Sequence, residues 1–171
     1  DHSVTARRAA VAAGAAAHPD IVARFSIGKS DQGRDLWAGK ISDNVNVDGN
    51  GPEVMFDGGT HSDEHMGVEM ALRIFHWLVD GYGKDPRITS IVNTREIWIV
   101  FMVNPDGAEY DISGGHFHFW RKTRQPTPGT TSIGTDLNRH SNHSWVGDAR
   151  PRHNPEVCTS RGTRPLQTPR S

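Results

Sequence analysis

Residues 53–72 read EVMFDGGTHSDEHMGVEMAL, and this stretch decides the fold. Glu53 to Asp57 is a short strand, and Gly58-Gly59 lets the backbone bend sharply after it. From about Glu64 a helical period takes over. Val68, Ala71, Leu72, Phe75 and Val79 recur at i, i+3, i+4, i+7 and i+11, which builds one apolar stripe, and Gly81 is placed as the C-cap. A strand, a glycine turn and an amphipathic helix in succession point to layered α/β structure.

On the N-terminal side, residues 3–17 are dominated by alanine and read as a helix that His18-Pro19 stops, because the residue before proline is pushed out of the α region. Ile21–Ile27 and Asp35–Ile41 read as strands, and Asp43–Pro52 as a polar loop. On the C-terminal side, Pro86–Val92 reads as a short helix with proline in its first turn. Glu96–Val103 is the clearest strand. Ile97, Ile99, Phe101 and Val103 face one side and Trp98, Val100 and Met102 the other, so it is expected to lie centrally in a sheet covered on both faces. Asn104-Pro105-Asp106-Gly107 has the chemistry of a turn.

Bulk composition narrows the function classes. The 171 residues suit one domain. Nineteen Lys and Arg against 20 Asp and Glu leave a formal charge of −1, so no basic excess points to nucleic acid. No apolar run is long enough for a bilayer. Cys158 is the single cysteine, which rules out a disulfide within the chain. Residues 1–20 lack the basic-then-apolar layout of a signal peptide, and the chain is read as processed or partial. After Trp145 the character shifts. Residues 147–171 are rich in Arg and Pro without apolar period, and are expected to be disordered.

His61 and Glu64 stand three apart just after the glycine turn, at the carboxyl end of the strand, where α/β folds place their sites. An imidazole and a carboxylate of this kind suit zinc. Taken alone, the pair favours a plainer reading: Ser62 or Asp63 caps the helix, Glu64 favours its positive end, and His61 is a turn residue. The string also fits H-x-x-E-H, in which His61 and His65 bind zinc from one helical face and Glu64 is the base. The preceding strand and glycine turn place that reading second.

Three further segments lift the first reading. Asn104-Pro105-Asp106-Gly107, Trp120-Arg121-Lys122-Thr123-Arg124 and Gly134-Thr135-Asp136-Leu137-Asn138-Arg139 follow Gly59-Thr60-His61-Ser62-Asp63-Glu64 in order. From about Pro19 to Trp145 this ordered set resembles the zinc metallocarboxypeptidases of the carboxypeptidase A and T type (peptidase family M14). The resemblance implies an α/β domain with a mixed central β-sheet flanked by helices, of which residues 1–146 would be the N-terminal part. It implies Zn2+ as cofactor with His61 and Glu64 as two of three ligands, and Asp136 orienting His61. It further implies that Arg121 stabilises the oxyanion, that Asn138 and Arg139 grip the terminal carboxylate, and that peptide or protein C-termini are the substrates. The implied protein is secreted and monomeric, with no nucleic-acid or membrane partner. Lys122, Arg124, His65, His116 and His118 are read as structural or solvated, as are His140 and His143.

The sequence also departs from that pattern. The family's third ligand is a downstream histidine in a Ser/His-rich motif, and its general base is a later glutamate; neither motif occurs here. After Arg139 only His143 and His153 are candidates for the third ligand, and the switch to Arg, Pro and Thr in the tail would fit a shifted reading frame. Asp63 stands where the family often has arginine. The expectation is a zinc exopeptidase domain that is inactive or nearly so as this polypeptide alone. The alternatives are an H-x-x-E-H endopeptidase and a non-catalytic remnant that binds peptide C-termini.

Overall fold

The computed structural model describes residues 4–49, 51–127 and 129–139. Helix α1 (Val4–Ala17) leads into a hairpin of β1 (Val22–Lys29) and β2 (Asp35–Ile41). Then follow β3 (Glu53–Asp57), α2 (His65–Gly81), α3 (Pro86–Thr94), β4 (Glu96–Val100) and α4 (Pro105–Asp111). Short 3-10 turns cover Ser113–Gly115 and Leu137–Arg139.

The four strands form one mixed sheet in the order β1-β2-β4-β3. β1 with β2 and β2 with β4 are antiparallel, while β3 and β4 are parallel. The expected mixed sheet flanked by helices is therefore what forms. The parallel pair needs a crossover, and α2 and α3 supply it. β3 and β4 consequently deliver their carboxyl ends, with Gly58 and Phe101 beyond them, to the same edge.

Register assigns the faces. Val54, Ile97 and Ile41 lie side by side, as do Phe56, Ile99 and Gly39. This face joins the main core with Val11 of α1, Leu72, Phe75 and Val79 of α2, and Ile88 and Val92 of α3. All five stripe residues of α2 are buried, as the period predicts. Met55, Trp98 and Lys40 align on the opposite face. There Trp98 and Val100 are half-buried and Met55 is exposed. β4 is thus an inner strand, but among the described residues helices cover one of its faces and not both.

Several boundaries differ from the sequence reading, β1 running over Val22–Lys29 and α3 on to Thr94 among them. β4 ends at Val100 rather than Val103: Phe101 N still bonds Trp37 O, but Val103 N turns to Gly58 O. Asn104 to Gly107 is no free turn. Asn104 caps α4, its side chain accepting from Gly107 N at 3.1 Å, with Pro105 at the first position. Gly81 is the last residue of α2, Tyr82 is the C-cap, and Gly83 takes the positive φ of 74°. Finally, neither Ser62 nor Asp63 caps α2; its N-cap is Glu64 without a side-chain cap bond.

Candidate metal centre

The turn after β3 begins with two glycines packed too tightly for any side chain. A Cβ on Gly58 would lie 2.9 Å from Gly67 O and 3.0 Å from Phe101 O. Gly59 has φ +64° and its Cβ would meet Val68 Cγ2 at 2.7 Å. This closeness drops His61 and Ser62 into the interior, and both are buried. Glu64, at the helix mouth, remains open to solvent.

His61 sits between two carboxylates. Its Nδ1 faces Glu64 Oε1 at 3.2 Å and its Nε2 meets Asp136 Oδ1 at 3.0 Å. In the tautomer that donates Nε2–H to Asp136, the Nδ1 lone pair faces Glu64. Two acceptors facing each other at that distance call for a cation or a proton between them. An imidazole nitrogen beside a carboxylate oxygen, with the far ring nitrogen held by a second carboxylate, is a donor set that fits zinc. Among the described residues no third His, Cys, Asp or Glu joins the pair.

Arg121 reaches the same place from a segment with no regular structure. Its NH1 donates to Glu64 Oε1 at 2.7 Å and lies 3.9 Å from Asp63 Oδ1. The backbone there is held by the His61–Glu64 turn itself. Ser62 N donates to Arg121 O at 3.2 Å, and Ser62 Oγ donates to Trp120 O at 2.5 Å. Asn104 Nδ2 adds a bond to Lys122 O, and the buried Asp111 accepts from Trp120 N at 2.6 Å. Glu64 is held below the usual carboxylate range, first by the Arg121 hydrogen bond and then by His61. For Asp136, burial works against ionisation. The hydrogen bonds from His61 and Asn138, with the Arg139 guanidinium nearby, outweigh it and keep the carboxyl low.

Asn138 and Arg139 follow Asp136 in the 3-10 turn, both exposed. Asn138 N donates to Asp136 Oδ1 at 3.0 Å, Arg139 N to Asp136 O, and Arg139 NH1 to Asn138 O at 3.1 Å. Asp136 therefore ties this turn to His61 across 75 residues of chain. His65 does not join His61 on one helical face, since α2 begins at His65 and its Nε2 pairs with Asp111 Oδ2 at 2.7 Å. The geometry of an H-x-x-E-H helix is absent from this turn. Arg124 stacks on Tyr110 and Trp120, and His118 stacks on Tyr110. His140, His143, His153 and residues 147–171 lie outside the described residues.

A second acidic group lies at the opposite end of β4. Carboxylate oxygens of Asp48, Glu53 and Glu96 fall within 4.8 Å of one another and could accept a cation. Lys40 already provides a positive charge there, 2.8 Å from Glu96 Oε1. The sequence reading passed over these residues because nothing local links Lys40 to Glu96. Asp111 and Ser62 were also missed as scaffolding: their partners are 46 and 58 residues away in the chain.

The sequence profile of the zinc carboxypeptidases matches residues 8–170. The chain belongs to this family. Over 128 residues it is 54% identical to a zinc carboxypeptidase of Saccharothrix mutabilis subsp. capreolus, covering 75% of this chain and 29% of that protein. Carboxypeptidase A1 of Sus scrofa is 33% identical over 132 residues, covering 77% of this chain and 30% of that one. Among solved structures, carboxypeptidase A from Helicoverpa armigera superposes with a TM-score of 0.74 at 28% identity, over 86% of this chain and 35% of that chain. Thrombin-activatable fibrinolysis inhibitor gives 0.73 at 25% identity, over 81% of this chain and 33% of that one. The chain thus spans about 30% of the length of the curated relatives it matches.

Proposed function

We propose that this chain carries the metal-binding turn and the substrate-gripping groups of a zinc-dependent carboxypeptidase, which hydrolyses the C-terminal peptide bond of peptides and proteins. The observation that carries the reading is the meeting of His61, Glu64, Arg121 and Asp136, from three distant segments, at one sheet edge. His61 and Glu64 would hold Zn2+, and Asp136 fixes the His61 tautomer so that Nδ1 keeps its lone pair. When bound, zinc supplies a Lewis acid. Arg121 would counter charge that develops on the scissile carbonyl oxygen only in the transition state. Asn138 and Arg139 would grip the substrate's terminal carboxylate, for which a guanidinium fork beside an amide is well shaped.

Two ligands among the described residues hold zinc less firmly than three, and low activity is expected of this polypeptide alone. Extracellular location and monomeric action at low concentration belong to the same proposal and rest on the family. No helix of the described residues is long and apolar enough to cross a membrane.

The test is zinc titration of the full chain, with His61→Ala as control, followed by assay on a blocked dipeptide with a free or an amidated C-terminus. Binding lost in His61→Ala, and any turnover confined to the free terminus and stopped by chelator, supports the reading. Equal zinc binding by both proteins would sink it. Carboxylate-peptide binding that ignores zinc would replace it with a non-catalytic binding module.

A further inference from the structure

The metal centre leaves one contact unexplained. Arg121 NH1 donates to Glu64 Oε1, the oxygen that also faces His61 Nδ1. If His61 and Glu64 hold a metal, that oxygen is shared between a dication and a guanidinium. Two positive charges on one carboxylate oxygen repel each other. The guanidinium must then exchange partners.

An acceptor stands ready on the same turn. Asp63 Oδ1 is 3.9 Å from the same NH1, is enclosed, and has no hydrogen-bond partner. Leaving a carboxylate oxygen enclosed and unbonded is costly, and a small swing of Arg121 would supply a charge-assisted bond. Ser62, between His61 and Asp63, pins Arg121 O and Trp120 O to the turn that carries both carboxylates.

We propose that Asp63 is a positioning residue for Arg121: it takes over the guanidinium as Glu64 turns to the metal, and keeps Arg121 beside the reacting site. The inference rests on the metal-centre reading above. Arg121 and the metal compete for Glu64, and Asp63 eases that competition.

Two experiments on the full chain test it. The first uses no metal and follows the Arg121 Nη1–H protons, which face both carboxylates, by 15N NMR, assigned with Arg121→Lys. Glu64→Gln should leave these protons slow to exchange with water, because Asp63 takes the guanidinium. Adding Asp63→Asn should bring exchange to the rate of a free arginine. Free-arginine exchange in Glu64→Gln alone would overturn the proposal.

The second measures zinc affinity by competition with a chromophoric chelator. Arg121→Met should tighten zinc by about tenfold, as a like charge is removed from the shared oxygen. Asp63→Asn should weaken it by about fivefold in the wild-type background and by less than about twofold in Arg121→Met, a coupling that only partner exchange produces. Equal losses in both backgrounds would mean plain attraction between Asp63 and the metal, and would reject the exchange. Zinc binding unaffected by His61→Ala would reject the metal-centre reading instead, while the NMR arm still decides whether Asp63 can receive Arg121.

Discussion

A single bond between His61 and Asp136 joins the candidate metal turn to the segment carrying Asn138 and Arg139. Its value lies in the tautomer it selects. Asp136→Asn keeps the shape but removes the charge that favours Nε2–H. Zinc affinity should fall by about 10- to 100-fold, the range for partners of metal-bound histidines, as read by chelator competition. Gly107 acts at the same scale through space alone. A Cβ there would collide with Ser62 Oγ and lie 2.7 Å from Lys122 O, a backbone atom that cannot rotate away. Gly107→Ala is expected to cost about 2 kcal/mol in urea unfolding. It should also broaden the Arg121 signals, because Ser62 and Lys122 hold that segment.

Among the elements, α2 shows how much a period can carry. Phe75 is fully buried and meets Phe101 edge-on, with ring centroids 5.3 Å apart. Phe75→Ala should cost about 3–5 kcal/mol, measured by chemical denaturation. The pairing of β2 with β4 carries a different load. Lys40 and Glu96 form an ion pair at 2.8 Å with both side chains nearly enclosed, and Gly49 N adds a bond to Glu96. The Lys40 hydrogen bond, then the Gly49 amide, hold the Glu96 carboxyl below its ordinary value of 4.5. A carboxyl with a lowered folded pKa adds stability above its unfolded pKa and loses it as pH falls through the folded one. Stability should therefore decline below about pH 4.5, and Glu96→Gln should flatten that decline. At neutral pH the same variant leaves Lys40 charged and enclosed, and should unfold about 3 kcal/mol more easily. Titrating the urea midpoint against pH checks both effects.

At the scale of the whole molecule, the sheet is helix-covered on one face among the described residues. β3 pairs only with β4 among the described strands. Its exposed Met55 lies beside the half-buried Trp98 on the other face. An uncovered edge strand with apolar side chains is a template for pairing with another chain. Sedimentation should show association rising with concentration, and Met55→Lys should suppress it without lowering the unfolding midpoint. Unchanged association in that variant would place the contact elsewhere, with the exposed Met66, Met70 and Trp77 of α2 as the next surface to alter.

Local pattern by itself determined most of the elements: the stripe from Val68 to Val79, the strand at Asp35–Ile41 and the glycine turn before His61 were all readable, because period and backbone freedom are properties of neighbouring residues. The ordered motifs likewise marked His61, Glu64, Arg121, Asp136, Asn138 and Arg139 as candidates. Tertiary structure decided how these groups meet. It put Asp136 on the far nitrogen of His61, Arg121 on Glu64, and Ser62 on the Arg121 backbone rather than on the helix end. It also decided that β4 stops at Val100, where Val103 turns to bond Gly58. Each of these depends on which groups satisfy one another in a closely packed interior, and such partners are set by the folded chain, not by distance along it.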